Sequence, residues 1–209
     1  EQRKLITSKI EDEIDYLIES QVDVNNDKVI IIQGKNWNPG VIGIDTDRLK
    51  ERFLRPSIIL TEDEDSDYVR GSSRSIPTIN IYQHIETVSE KFEDQNGRKL
   101  FLVEAETAHG KQLINAFGGH AQACGFTIHR KDIPVFKTMI KEEVGKLPSE
   151  QFEYHYEILE TLDFSDITMD LIDRLDTLSP YGQHFDYPTF YLKNCAISAL
   201  RPFGNKYQE

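Results

Sequence analysis

The sequence has little cysteine and no long apolar run. Its two cysteines, Cys124 and Cys195, form no CxxC pair and have no histidine close by. A zinc module and a disulfide framework are therefore not predicted, and a reducing, cytoplasmic location is favoured. No apolar stretch reaches the roughly 20 residues that span a bilayer, and the charged opening does not resemble a signal peptide. Because the sequence begins with Glu1 rather than Met, we expect a piece of a longer chain.

Several common catalytic signatures are also missing. The sequence contains no glycine-rich Walker loop, no GxSxG elbow and no HExxH pair. Its histidines show no paired spacing with each other or with cysteine, which argues against a histidine-based metal site. The sequence therefore lacks the signatures of three large enzyme classes.

Basic residues are too few to attract nucleic acid over the whole surface. There are 24 Lys and Arg against 36 Asp and Glu, so the formal net charge is −12. Non-specific phosphate binding comes mainly from Lys and Arg that release counterions. Any contact with nucleic acid must therefore be local, and the acidic run at residues 62–65 is typical of solvated surface.

What is present is a soluble composition with clear periodicity, since 38% of the 209 residues are hydrophobic and 29% are charged. Residues 2–21 carry an apolar stripe at helical spacing and predict an amphipathic helix that needs a partner surface. Three consecutive segments predict a strand–helix–strand unit. They are the β-branched run 29–32, a helix that starts with Asn38 as N-cap and Pro39 at its first position, and the apolar run 57–60. The default connection of such a unit is a right-handed parallel crossover.

Further elements are predicted as far as a linker at residues 146–150, where a proline interrupts the helical periodicity. These are strands at 68–72 and 125–128 and helices at 81–92, at 107–115 and after Asp132, which is placed to cap the last of them. Beyond the linker, residues 152–158 alternate with period two. A capped helix from Ser165 and strand material at 181–200 follow, and we expect this second domain to be truncated.

Three segments offer phosphate-binding chemistry. The first, residues 38–44, begins a helix directly after a strand, so its free N–H groups attract an anion, and Arg48 lies two turns further on. The second, residues 70–75 (RGSSRS), contains two arginines whose planar guanidinium groups match phosphate oxygens. Each has an ordinary structural alternative: the first is a common strand–helix turn, and the second is a polar turn whose arginines pair with the preceding acidic run.

The third segment is Phe117-Gly118-Gly119-His120. Two glycines allow positive φ and a close backbone approach, and a histidine can donate to a phosphate or transfer a proton near neutral pH. Its alternative is a helix C-cap.

Read together and in order, residues 37–44 (WNPGVIGI), 71–77 (GSSRSIP) and 117–121 (FGGHA) resemble the DHH-associated domain of RecJ exonucleases. Residues 178–182 (LSPYG) and 188–190 (PTF) resemble the start of that family's OB-fold domain. There are departures: Asn38 stands where the family commonly has His, residues 93–112 are longer than its usual spacing, and residues 183–186 lack its Gly-Asn-Pro turn.

The resemblance implies an α/β fold with a mainly parallel or mixed central sheet. It divides the chain into a connecting helix (1–22), a DHH-associated α/β domain (23–147) and a partial, β-rich OB-like domain (148–209). It further implies a 5′-to-3′ single-stranded-DNA exonuclease of repair and recombination, whose Mn²⁺ or Mg²⁺ is bound by an N-terminal DHH domain. No Asp-His-His string occurs here, so we expect no metal site and no nuclease activity in this chain alone.

The family's site roles fall on six positions. Arg48, Ser72 and Arg74 are implied to hold the substrate phosphate, together with the backbone of Gly118 and Gly119. His120 and Arg74 are implied to act on the scissile phosphate.

The resemblance implies single-stranded DNA as partner, with a single-strand-binding protein and a RecQ-type helicase as further candidates, and no membrane. Two other functions remain open. One is a DHH-family phosphodiesterase or oligoribonuclease acting on short oligonucleotides, which would usually end soon after the Gly-Gly-His domain. The other is a non-catalytic replication scaffold, which the acidic balance suits.

Overall fold

A computed structural model describes residues 2–108, 110–153, 157–182, 185, 187–196, 198 and 199. The chain forms two compact units, Glu1–Glu153 and Tyr154–Glu209. Among the described helices, none combines the length and apolarity that a membrane crossing requires.

The first unit is an α/β domain. Its elements in chain order are α1 (Gln2–Gln21), β1 (Ile30–Lys35), α2 (Ile42–Phe53), β2 (Ser57–Glu62), β3 (Tyr68–Arg74), α3 (Ile81–Lys91), β4 (Leu102–Thr107), β5 (Gly110–Asn115), β6 (Phe117–His120), β7 (Ala123–His129) and α4 (Ile133–Gly145). Five strands form one sheet in the order β1-β2-β3-β7-β6, and β4 pairs with β5 in a separate hairpin.

The pairing confirms the predicted strand–helix–strand unit and the mixed sheet. Strands β1 and β2 are parallel, as a helical crossover requires, whereas β2–β3, β3–β7 and β6–β7 are antiparallel. The fold class expected from the sequence is therefore confirmed.

Side chains alternate between the two faces of the sheet, and the faces are covered differently. On one face, α3 and α4 close a core around the neighbouring rings of Phe101, Phe126 and Phe136. Gly71 makes room for this core, because a methyl group there would lie 2.3 Å from the Phe126 ring. On the other face, the second core cluster takes its strand residues from β1 and β2: Ile30, Ile32 and Ile59. That face of β3, β7 and β6 therefore carries no core.

Helix α1 finds its partner surface on β1 and α2. Ile10, Ile14 and Ile18 are buried in the second cluster, as the helical stripe predicts. The indole Nε1 of Trp37 donates to Glu13 on the helix at 2.6 Å. These contacts fix the position of α2, whose first turn borders the open part of the sheet.

Residues 107–115, predicted as a helix, instead lie mostly in the β4–β5 hairpin, so that prediction is wrong. Gly110 has a φ of 90°, which L side chains rarely adopt and which does not continue a helix. The hairpin then gains its hydrogen bonds from β4, a partner that helical periodicity does not reveal.

The predicted N-cap of α2 is wrong, and the predicted N-cap position of α4 is confirmed. Helix α2 starts three residues after Pro39, with Val41 at the N-cap, and Asn38 Oδ1 instead accepts from the Gly40 N–H at 2.8 Å. Asp132 does stand at the N-cap of α4 but makes no capping hydrogen bond, because its carboxylate binds Arg98.

The second unit contains β8 (Ile158–Leu162), α5 (Met169–Asp176) and β9 (Thr189–Leu192), with β8 parallel to β9. The predicted helix begins at Met169, capped by the Thr168 hydroxyl, rather than at Ser165. Of the strand material expected at residues 181–200, the described part contributes β9. Parts of two predicted segments lie outside the described residues. They are residues 154–156 of the predicted alternation, and residues 183, 184 and 186 of the segment that lacks the family's Gly-Asn-Pro turn.

Asp45 is a buried carboxyl group on α2. It is 2% exposed, and its nearest described cation is Arg48, with Nη1 3.6 Å from Oδ1. Within the described structure neither carboxylate oxygen accepts a hydrogen bond. Burial raises the Asp45 pKa from 3.8 to about 6.

Since the folded-state pKa of Asp45 is the higher one, this carboxyl favours folding below pH 4, and that contribution is lost as the pH rises through about 6. We expect Asp45→Asn to be more stable than the wild type at pH 8, on the order of 1–3 kcal/mol, with the difference shrinking towards pH 4. Urea unfolding across this range measures the effect.

Asp47→Asn is the matched control on the same helix. Asp47 is half exposed and contacts Lys50 at 2.9 Å, so its replacement should change the free energy of unfolding little at any pH. An Asp45→Asn variant less stable than the wild type at pH 8 would contradict the assignment.

Candidate phosphate-binding site

A cavity of about 550 Å³ lies beside α2, on the face of β3, β7 and β6 that carries no core. We call it the trough. It is lined by Pro39, Ile42, Arg70, Gly71, Ser72, Arg74, Ala116, Gly118, Gly119, Ala123, Cys124, Gly125, Phe126 and Thr127. The second and third sequence segments thus meet in one place, beside the first turn of α2.

The period of two along β3 places Arg70, Ser72 and Arg74 on the trough face. Their register partners on β7 are Thr127, Gly125 and Ala123. These partners and Gly118 on β6 form a floor with little side-chain bulk. A methyl group added at Gly118 would meet no atom within 4 Å, so the floor is open to a ligand.

Arg74 is held at the α2 end of the trough. Its Nη1 donates to the Ser73 carbonyl at 2.8 Å and lies 3.5 Å from the Ser72 hydroxyl. A methyl group at Gly43 would lie only 2.9 Å from Nη2, so a glycine there lets the guanidinium pack on the first turn of α2. The Ile42 and Ile44 N–H groups of that turn donate to the Asn38 and Val41 carbonyls, and the positive end of the helix dipole lies beside the guanidinium.

Neither arginine of the trough forms an ion pair with a described residue. Most other described arginines do: Arg48, Arg52, Arg98, Arg130 and Arg174. The alternative in which the arginines of β3 pair with the preceding acidic run is wrong, because that run binds Arg130. Arg130 lies 3.5 Å from the Glu62 carboxylate and donates to the Asp63 carbonyl at 2.6 Å.

His120 is exposed at the end of β6 and does not line the cavity. It pairs with Ala123, which in turn pairs with Arg74, so the histidine and arginine backbones are two strand spacings, roughly 10 Å, apart. The Gln122 N–H donates to its Nδ1 at 3.3 Å. A neutral His120 therefore carries its proton on Nε2, the nitrogen left for a ligand.

Gly119 is required by the β6–β7 turn. Its φ is 147°, and a methyl group would lie 2.3 Å from the Ala123 carbonyl oxygen. The two glycines therefore have different roles: Gly119 allows the backbone conformation of the turn, and Gly118 keeps the floor of the trough open. The helix C-cap alternative is wrong, since the segment is a strand.

Arg48 lies outside the trough lining. Its guanidinium pairs with Glu11 of α1 and is half exposed. The structure thus brings together Ser72, Arg74, Gly118 and Gly119, with His120 at the edge and Arg48 on the outer side of α2.

Cys124 borders the cavity, but its side chain lies in the core behind the sheet. Burial raises the pKa of its thiol to about 11, and its Sγ lies 2.8 Å from the Ser73 hydroxyl. A thiol held protonated at neutral pH is a poor nucleophile.

The described residues contain no group of three or more His, Cys, Asp or Glu side chains that could hold a metal ion. The trough offers guanidinium, hydroxyl and N–H donors, which suit an anion and do not fit Mn²⁺ or Mg²⁺.

Family models match residues 26–146 to the DHHA1 domain and residues 160–208 to the RecJ OB domain. The chain belongs to the DHHA1 domain family. The whole trough lies within the residues matched to the DHHA1 domain, which confirms the family resemblance drawn from the three segments.

Among curated relatives, the single-stranded-DNA-specific exonuclease RecJ of Bacillus subtilis (strain 168) is 30% identical over 205 residues. The match covers 97% of this chain and 23% of that protein. RecJ of Dickeya dadantii (strain 3937) is 29% identical over 155 residues, with 74% and 24% covered. The chain thus spans about a quarter of these relatives' length.

Solved structures show the same fold. RecJ from Thermus thermophilus in complex with Mn²⁺ has a TM-score of 0.67 at 20% identity, covering 91% of this chain and 24% of that one. The complex of the same protein with Mg²⁺ gives 0.66 at 20% identity, covering 90% and 25%.

Sequence reasoning missed parts of the trough. The sequence indicates Gly43 only as part of a helix start, and does not indicate it as the surface on which Arg74 packs. Arg70 was noted in its segment but given no site role, although its period-two spacing from Ser72 and Arg74 was available in the sequence. Gly125 and Thr127 were recognised only as strand.

The two glycines of the DHHA1 motif give a matched pair of variants. We expect Gly119→Ala to lower the free energy of unfolding by about 1–3 kcal/mol, because the turn needs its φ and the methyl group meets backbone. Gly118→Ala should unfold close to the wild type. Denaturant unfolding checks both, and equal stability of the two variants would contradict this account.

Proposed function

We propose that this chain is the substrate-binding C-terminal part of a 5′-to-3′ single-stranded-DNA exonuclease of the RecJ type, used in DNA repair and recombination. The observation that carries the proposal is Arg74: a guanidinium without a carboxylate partner among the described residues, facing an open cavity in a chain of net charge −12. Such a group suits a phosphodiester, which it can meet with two parallel hydrogen bonds.

The trough residues would bind and orient the strand. Arg74, with the Ser72 hydroxyl and the positive end of the α2 dipole, holds one phosphate and stabilises the charge on its oxygens. The Gly118 floor lets the sugar–phosphate chain approach the sheet. His120 then faces the same phosphate from the β6 side, with its Nε2 proton available to an oxygen. Arg48 contributes only if it leaves Glu11.

The metal chemistry belongs elsewhere in this proposal. Mn²⁺ or Mg²⁺ would activate the attacking water and would be held by a DHH domain outside this chain. Residues 1–22 would be the connecting helix, 23–147 the DHHA1 domain and 148–209 the start of the OB domain. A cytoplasmic location, single-stranded DNA as ligand, and a single-strand-binding protein and RecQ-type helicase as partners belong to the same proposal.

The match of residues 160–208 to the RecJ OB domain supports this function over an enzyme of short oligonucleotides, which would end sooner. A non-catalytic scaffold differs in its binding behaviour. Its interactions would not require a guanidinium at position 74.

The Arg74→Ala variant tests the proposal. In a salt titration with a labelled single-stranded oligonucleotide, we expect the variant's slope of log K against log salt to be smaller by about 0.7, one phosphate contact. In the longer, metal-bearing protein, turnover should fall by about 10² to 10³, as when a preorganised donor is lost.

Arg52→Ala removes the same charge from the exposed side of α2 and is the control. If the affinity of the wild-type chain for the oligonucleotide does not depend on salt concentration, the non-catalytic scaffold is favoured. Unchanged turnover in Arg74→Ala would remove this residue from the site.

A second test concerns the chain alone. Because the described residues contain no fitting metal cluster, we expect the purified 209-residue chain to leave single-stranded DNA intact in the presence of Mn²⁺. Gel analysis of a 5′-labelled strand measures this. Manganese-dependent degradation that survives removal of trace nucleases would refute the division of roles.

A further inference from the structure

Arg70 marks the far end of the trough from α2. It is exposed, lines the cavity beside Ala116 and Thr127, and within the described structure makes no ion pair and no side-chain hydrogen bond. It stands four residues before Arg74 on the same face of β3. The proposed function gives Arg70 no role.

The spacing of the two arginines decides what they can share. Residues four apart in a strand are about 13 Å apart at Cα. The phosphates of one stacked nucleic-acid strand follow each other at about 3.4 Å along the helix axis, and farther apart when the strand is extended. Two guanidiniums that extend from such points fit two different phosphates of one strand better than a single phosphate.

The surface between them is clear. The intervening row consists of Ser72, Gly125 and Gly118, so no long side chain crosses the trough. A methyl group at Gly118 would meet nothing within 4 Å, and one at Gly125 only the Gly71 carbonyl at 3.7 Å. A backbone chain can therefore lie along β3 from one arginine to the other.

The surrounding charge does not offer Arg70 another role. The acidic residues nearest in sequence form the turn between β2 and β3, and Arg130 binds that turn through Glu62 and the Asp63 and Ser66 carbonyls. A long, exposed arginine left without a counter-ion in the described part of an acidic chain retains its capacity to bind an anion.

We infer that Arg70 forms a second phosphate subsite, so that a single strand runs along β3 with one phosphate at Arg74 and a later or earlier one at Arg70. This inference rests on the proposed function, since it assumes that Arg74 holds a phosphate of the same strand. The affinity of the trough should therefore depend on strand length, because a ligand with one phosphate cannot occupy both subsites.

The test is a set of salt titrations of the full chain with a fluorescently labelled oligothymidylate of about 12 nucleotides, a length within the range that single-strand-binding folds cover, followed by anisotropy. The variants are Arg70→Ala, Arg74→Ala, the double variant and the control Arg52→Ala. Two separate contacts should each lower the salt slope by about 0.7, and the double variant should lower it by about 1.4. Each single variant should weaken binding on the order of tenfold.

Arg70→Lys keeps the charge and should restore most of the slope while losing the paired hydrogen bonds. Because Arg70 is exposed, its variants should retain the wild-type circular dichroism and unfolding transition.

The outcomes separate the two proposals. If Arg74→Ala weakens binding and Arg70→Ala behaves like Arg52→Ala, the second subsite is refuted while the proposed function stands. The second subsite is also refuted if the double variant has the same affinity and the same salt slope as the single variants, because both arginines would then hold one phosphate. If neither single variant weakens binding, the proposed function fails as well.

Discussion

The alternation of side chains along β3 is the constraint on which the candidate site depends. Successive residues of a strand point to opposite faces, so Val69, Gly71 and Ser73 face the core while Arg70, Ser72 and Arg74 face the trough. A shift of one residue in the β2–β3–β7 register would bury two guanidiniums against Phe126. The core therefore fixes the site: the phenylalanine cluster behind the sheet sets the face on which the arginines stand.

Incomplete cover turns this face into a site. Helices α1 and α2 bury the β1 and β2 part of the face through Ile30, Ile32 and Ile59, and the contacts of α2 extend over the edge of β3. Beyond that edge the floor consists of glycine, alanine and threonine, which offer little apolar area to bury. The cavity therefore lies where the packed β1–β2 part of the face meets the β3–β7–β6 part that has no core, beside the start of α2.

Charge is distributed in the same uneven way. The chain is strongly acidic, and most described arginines lie against carboxylates, where exposed pairs contribute little to stability and cancel each other's field. Arg70 and Arg74 are left uncancelled in the trough. This arrangement gives a local anion site without the general attraction to nucleic acid that a basic protein shows.

The sequence by itself determined those features that depend on neighbours along the chain. Helical spacing identified α1, β-branched runs identified β1 and β2, and three ordered motifs identified the DHHA1 family. The tertiary structure decided what depends on distant partners: residues 110–115 pair with β4 instead of forming a helix, and the Asp132 carboxylate binds Arg98 instead of making the capping hydrogen bond of α4. It also decided that Arg48 meets Glu11 while Arg74 rests on Gly43, since local periodicity places a residue on a face but does not say what packs against that face.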